Sequence, residues 1–235
     1  TIKWTLVVIL FLILLASLFF FQIKKQQSEY HKNELQVWAS MKEGITYIYR
    51  TKEILGALCL DMFAVLFGGA VAMIPVYASD ILKVGADGFG LLNAASDIGS
   101  MMIIVTLSFI PLRKNQGKIL IGVVAGFGLC IIGFGLSKLY WLSFLFLMLS
   151  GIFDGISVVI RGTIVQLKTP DHIRGRVMSA NSIFIMSSNE MGQFESGVAA
   201  KLLGVVRSVV FGGTMTVLIA LFVGKFVPKL RKMEY

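Results

Sequence analysis

The sequence predicts an all-α integral membrane protein, and three features of the chain lead to this fold class. First, its 235 residues are 56% hydrophobic and 15% charged, whereas soluble domains carry about 45–50% apolar and about 25% charged residues. Second, seven apolar runs have lengths close to the ~20 residues that a helix needs to cross a bilayer. Third, loops rich in Lys and Arg alternate with loops that are poor in them. A soluble enzyme, a nucleic-acid-binding module and a disordered chain are therefore disfavoured.

The seven apolar runs predict one transmembrane helix before a long polar segment and six after it. They cover residues 4–23, 54–77, 88–112, 119–137, 139–160, 177–200 and 208–224. The last run is short unless neighbouring residues extend it. Because the chain begins with Thr1 and not with Met, we expect a fragment that lacks an N-terminal part.

The distribution of basic residues predicts the orientation. Residues 24–53, 113–118 and 168–176 and the tail are rich in Lys and Arg, and the loops between them are not. Since basic loops stay in the cytoplasm, we expect the N-terminus outside and the C-terminus inside. Within 24–53, apolar residues at helical spacing predict an amphipathic helix on the cytoplasmic membrane surface, with a linker role favoured over a regulatory one: Leu35, Trp38, Met41, Ile45 and Ile48.

Several polar side chains fall inside the apolar runs. A charge at the bilayer centre costs about 2.5–3.5 kcal/mol, so these groups should face one another, a polar cavity or the membrane interface. Burial disfavours the charged form of a carboxylate, which can then carry a proton. The candidates for substrate binding or proton coupling are Asp61, Asp97, Asp154, Asn189 and Glu190. The alternative, that each is a hydrogen-bonded packing group, stays open.

Four residues near the predicted cytoplasmic face are candidates for a gate: Arg161, Asp171, Arg174 and Arg176. Asp154 and Arg161 share a helix face but are separated by about 10 Å along the axis. We therefore expect each to find a partner on another helix or in water. Arg174 and Arg176 should meet acidic groups or lipid headgroups. Arg161 could instead only tie helix ends together.

Motifs for catalysis or cofactor binding are not found. The sequence has no G-x-x-x-x-G-K-[ST] phosphate loop, no G-x-S-x-G elbow and no H-E-x-x-H. Its two cysteines lie inside apolar runs, and its two histidines are far apart. We therefore expect no enzyme, no cofactor, no metal site and no nucleic-acid partner.

Two stretches of the sequence resemble a known family. The runs MIPVYA (residues 73–78) and GFGLLNAA (88–95) resemble helices seven and eight of major facilitator exporters. Residues 154–200, with TPDHIRGRV and SNE followed by FESG, are similar to helices ten and eleven of the branch that includes the enterobactin exporter and the macrolide efflux permeases. The resemblance implies helix six at 1–23, a cytoplasmic loop with an amphipathic helix at 24–53, a C-terminal six-helix half at 54–228 and a cytoplasmic tail at 229–235.

The same resemblance implies a function. Such a permease is a secondary active transporter of the plasma (inner) membrane whose two halves rock around a central site. We expect proton-driven export of a small amphipathic organic molecule, a drug or a siderophore. The partners would be the lipid bilayer, the substrate, protons and the N-terminal half, which is missing here. A non-transporting scaffold or partner subunit and an uptake permease are the alternatives.

Overall fold

The structure, a computed structural model, describes residues 2–20, 34–110, 112 and 114–231. The chain divides into two units, residues 1–37 and 38–235. The described part of the first unit contains the apolar helix α1 (Ile2–Phe20). The predicted span 4–23 continues into residues outside the described part.

The second unit is built from long helices. Helix α2 (Glu34–Arg50) crosses the boundary between the units and is followed by α3 (Lys52–Phe67), α4 (Ile74–Val76), α5 (Ala86–Phe109), α6 (Gln116–Leu136), α7 (Tyr140–Lys168), α8 (Arg174–Leu203), α9 (Val205–Phe226) and α10 (Pro228–Arg231). Within the described residues, five stretches are long and apolar enough to cross a membrane: Lys52–Ile81, Ala86–Phe109, Gln116–Leu136, Tyr140–Lys168 and Val205–Phe226. Five of the predicted spans therefore coincide with long apolar helical stretches, and the last is extended by its neighbours to 22 residues.

The predicted span 177–200 differs from these five. It forms α8, which has 30 residues and is therefore about 45 Å long. The helix is long enough to cross a bilayer but is more polar than the other five stretches, because Asn, Gln, Glu and Ser residues recur along it.

The first span of the second unit is a broken helix. Helix α3 ends before Gly68 and Gly69, and a 3-10 turn (Ala70–Met73), α4 and a π-helical turn (Tyr77–Ile81) follow. Glycine is a weak helix former, and Pro75 supplies no N–H to the preceding turn. Gly69 lies against α8, where a Cβ built on it would be 2.8 Å from the carbonyl oxygen of Gly192. The continuous helix expected for 54–77 is therefore interrupted near its middle.

Two buried apolar clusters hold the bundle together. One lies at the end formed by α2, α10 and the starts of α3 and α6, which we call the α2 end, and it includes Ile48, Leu60 and Leu230. The other surrounds Tyr77 and Phe134, whose ring centroids are 4.5 Å apart. The break after α3 falls between the residues that α3 contributes to the first cluster and those that the following segment contributes to the second.

The α2 end is closely packed. The apolar side of the second half of α2 lies against the bundle: Gly44 and Ile48 are buried, and a Cβ on Gly44 would be 2.6 Å from the carbonyl oxygen of Arg176. Trp38 remains exposed, and the side chain of Leu35 lies outside the described part. Within the predicted tail, Leu230 is fully buried beside Gly56 and Gly117.

Candidate functional site

A buried group of three charged side chains, which we call the charge cluster, connects α3 to α7. The Arg161 guanidinium forms an ion pair with Asp61 of α3 and lies 3.9 Å from a carboxylate oxygen of Asp154. The side chains of Arg161 and Asp61 are each 8% exposed, whereas that of Asp154 is 45% exposed. The cluster therefore has a dry side at Asp61 and an open side at Asp154.

The proximity of Asp154 and Arg161 corrects the expectation that they are too far apart to interact. The backbone positions of the two residues are about 10 Å apart along the helix axis, but the long arginine side chain points back toward the N-terminus of its helix. The Nε atom of Arg161 donates to the Ser157 carbonyl oxygen at 3.3 Å and to its hydroxyl at 3.2 Å. Ser157 thus fixes the guanidinium between the two carboxylates. The expectation of a partner on another helix is confirmed by Asp61.

The charge balance of this cluster makes it sensitive to one proton. A guanidinium keeps its charge in proteins, so two ionised carboxylates give the cluster a net charge of −1. One bound proton makes it neutral. Removing charges from water is costly unless they are paired and hydrogen-bonded, and Asp154 has the weaker of the two contacts with Arg161. Asp61 is therefore the carboxylate whose charge Arg161 balances most directly, and Asp154 is the one that faces the open side.

Asp154 also lines a cavity of about 210 Å³ at the break in α3. Five helical segments contribute to its wall: Val65, Gly68, Gly69 and Val71; Ser96; Phe127 and Ile131; Ser150, Gly151 and Asp154; Asn189 and Gln193. The glycines keep the backbones close, while the serine and amide side chains offer hydrogen-bond donors and acceptors. The site thus combines one carboxylate, several neutral polar groups and an apolar wall.

A second, much smaller space shares Val65, Phe127 and Asp154 with this cavity and also borders Asp61 on the buried side of the cluster. It has a volume of about 10 Å³ and is lined by Asp61, Asp154, Phe127 and Phe153, among others. That is about the volume that one water molecule requires. Asp154 borders both spaces, so it stands between the open cavity and Asp61.

The structure separates the predicted binding residues into two groups. Asp61, Asp154 and Asn189 lie at the cluster or the cavity. Asp97 and Glu190 are on exposed faces of α5 and α8. Sequence reasoning missed the cavity residues Ser96, Ser150 and Gln193 and the anchoring Ser157. Of these, only Ser157 was marked by a spacing, because it precedes Arg161 by one helical turn.

Comparison with known families gives the identity of the fold. The model of the Major Facilitator Superfamily matches residues 1–193. The chain belongs to the major facilitator superfamily. No curated protein and no solved structure matches it.

Membership in this superfamily confirms the predicted all-α membrane fold. It also shows that the chain is part of a multi-pass membrane protein. Members of the superfamily are transporters rather than enzymes, which agrees with the expectation that the chain is not an enzyme. The break in α3 beside the cavity has the form that transporters use near the bilayer midplane, where irregular backbone lines a cavity.

The predicted gate residues of this major facilitator protein do not form one group. Arg174 pairs with Asp171 at 2.5 Å within the turn before α8, and the Asp171 side chain is 88% exposed. Arg176 pairs with Glu43 of α2. The expectation that Arg174 and Arg176 meet acidic groups is confirmed. Arg161 lies apart from these pairs, in the charge cluster.

Proposed function

We propose that this chain belongs to a proton-coupled exporter of a small amphipathic organic molecule, in the branch of the superfamily that the sequence resembles. The observation that supports the proposal best is the charge cluster. One buried arginine has two carboxylates, and one of these also lines a central cavity. A structural ion pair needs only one carboxylate, whereas a group that exchanges protons needs a second one with access to water.

In the proposed cycle, Asp154 exchanges the proton and Asp61 holds Arg161 in place. When Asp154 is ionised, the cluster is negative and favours a cationic or hydrogen-bond-donating substrate group in the cavity. When Asp154 binds a proton, the cluster is neutral and this attraction is lost. Substrate and proton therefore compete for one side chain, which is the arrangement that antiport requires.

The cavity in this chain forms one wall of the proposed transport path. A volume of about 210 Å³ is below the roughly 300–1,000 Å³ of typical ligand pockets. We propose that an N-terminal half supplies the opposite wall and faces the exposed Asp97 and Glu190. We place the α2 end in the cytoplasm, because basic residues concentrate there, and the protein in the plasma membrane.

The test uses the complete gene product in proteoliposomes with an inward proton gradient, and it follows efflux of a fluorescent amphipathic substrate. Asp154→Asn should reduce gradient-driven efflux to the level of protein-free liposomes and should also weaken substrate exchange without a gradient, because proton and substrate use the same carboxylate. Full substrate exchange with loss of gradient-driven efflux would contradict this competition and would limit Asp154 to proton coupling. The matched control is Asp80→Asn, an exposed carboxylate outside the cluster, which should behave as the parent does.

Three other results have definite meanings. Efflux that survives Asp154→Asn but fails in Glu190→Gln would move the coupling group to the exposed face of α8. Gradient-driven accumulation in place of efflux would support an uptake permease. No flux by the parent protein across a broad substrate panel would favour the scaffold alternative.

A further inference from the structure

A second large cavity lies at the α2 end, away from the charge cluster. This groove has a volume of about 580 Å³ and runs between α2 and the turn before α8. Its lining residues are Ala39, Lys42, Glu43, Thr46, Tyr47, Arg50, Pro170, His172 and Ile173. At 100° per residue, these α2 positions lie on the side of the helix away from the buried Gly44 and Ile48. The groove therefore lies on the side of α2 that faces away from its buried contacts with the bundle.

The charge of the groove is unbalanced. Its one carboxylate, Glu43, is already paired with Arg176. Lys42 and Arg50 have no ion-pair partner within the described part of the chain. His172 adds a third nitrogen-bearing side chain from the opposite wall. The groove thus presents at least two uncompensated positive charges to an occupant.

Between these charged groups, the walls are apolar and firmly held. Tyr47 donates a hydrogen bond to the carbonyl oxygen of Lys168, which fixes its ring in the wall. Trp38, one turn before Lys42 on the same helix, is 76% exposed. Tryptophan is enriched at the headgroup level of membranes. An occupant that is anionic at one end and apolar at the other fits this combination.

We propose that the groove binds the headgroup of an anionic phospholipid. The phosphate would accept hydrogen bonds from Lys42 and Arg50, since both side chains are phosphate-binding groups. The glycerol and the first acyl carbons would lie against Tyr47, Pro170 and Ile173. A free phosphate would satisfy the charges but would leave the apolar walls uncovered. The bound lipid would join α2 to the turn before α8, independently of which substrate the protein carries.

The test is native mass spectrometry of the purified complete gene product in detergent, titrated with phosphatidylglycerol or phosphatidylcholine. The variant Lys42→Gln/Arg50→Gln removes two charges from the groove. Its affinity for phosphatidylglycerol should fall about 30-fold. Each basic residue near an anionic surface contributes about 1 kcal/mol, and the loss of two such residues corresponds to this change in affinity. The control Lys201→Gln/Arg207→Gln removes two exposed charges at the other end of the bundle and should bind as the parent does. Lys42→Arg/Arg50→Lys should keep most of the affinity.

Each other outcome would overturn the proposal. Equal losses in both double variants would show a general effect of net charge and not a site. Unchanged binding in Lys42→Gln/Arg50→Gln would place the lipid elsewhere. Equal affinity of the parent for phosphatidylcholine would remove the requirement for an anion. If a low concentration of inorganic phosphate were enough to displace phosphatidylglycerol, the groove would be a site for a free anion.

Discussion

Removing Arg161 tests whether the charge cluster has the electrostatics that its geometry indicates. Arg161→Met deletes the positive charge and leaves Asp61, which is 8% exposed, without a counterion. Deleting one partner of a buried pair costs about 3–5 kcal/mol. Asp154 is 45% exposed and stays hydrated, so the penalty falls mainly on Asp61.

The magnitude depends on pH, because a carboxylate can become neutral and a guanidinium cannot. Protonating an aspartate at pH 7 costs about 4 kcal/mol, and this cost falls by about 1.4 kcal/mol per pH unit. In Arg161→Met the folded state therefore binds up to one proton more than the unfolded state between about pH 5 and pH 7. Its stability must fall as the pH rises through this range. Asp61→Asn leaves the charge of Arg161, which cannot be neutralised but still has Asp154 at 3.9 Å. Its loss of stability should therefore be smaller than that of Arg161→Met and should not depend on pH in this range.

The double variant Asp61→Leu/Arg161→Met provides the comparison. Replacing both members of a buried pair by apolar groups is often neutral or stabilising by about 1–4 kcal/mol. We expect it to unfold close to the parent protein and without the pH dependence of Arg161→Met. The measurement is the free energy of unfolding in mixed detergent micelles, followed by circular dichroism from pH 5 to pH 7. A flat profile for Arg161→Met, or a double variant as unstable as Arg161→Met, would refute the reasoning.

Two further predictions concern packing. Gly192→Ala should destabilise the protein by about 1–3 kcal/mol in the same unfolding assay, because the new Cβ would be 2.7 Å from the Val65 carbonyl oxygen. The control is Gly197→Ala on the same helix, where no heavy atom lies within 4 Å of the new Cβ. This variant should be neutral or should stabilise the protein by up to about 1 kcal/mol. Equal effects of the two would contradict the close contact of α3 with α8. Tyr77→Phe should cost about 1–3 kcal/mol, because the buried Tyr77 hydroxyl donates to the Gly135 carbonyl oxygen in the last turn of α6, and an unaltered unfolding midpoint would show that this bond contributes nothing.

The helices could be predicted from local hydropathy, but their interruptions depended on what lies beside them. The spans that became α5, α6, α7 and α9 were placed to within a few residues, except for α7, which continues to Lys168. Local composition does not show that Gly69 lies against the backbone of α8. The same limit explains α2: its apolar stripe fits a membrane surface or a protein surface equally well, and Ile48 is buried in the bundle.

The sequence by itself determined which side chains needed a partner, because a charge inside an apolar run is costly wherever the helix packs. It singled out Asp61, Asp154 and Arg161 on that ground. Only the tertiary structure decided that Asp61 pairs with Arg161, one hundred residues away, and that Asp97 and Glu190 stay on exposed faces. The physical reason is that the run of apolar residues fixes where a helix lies along the chain. Close contacts at glycines such as Gly69 and Gly192 decide which faces of two helices meet.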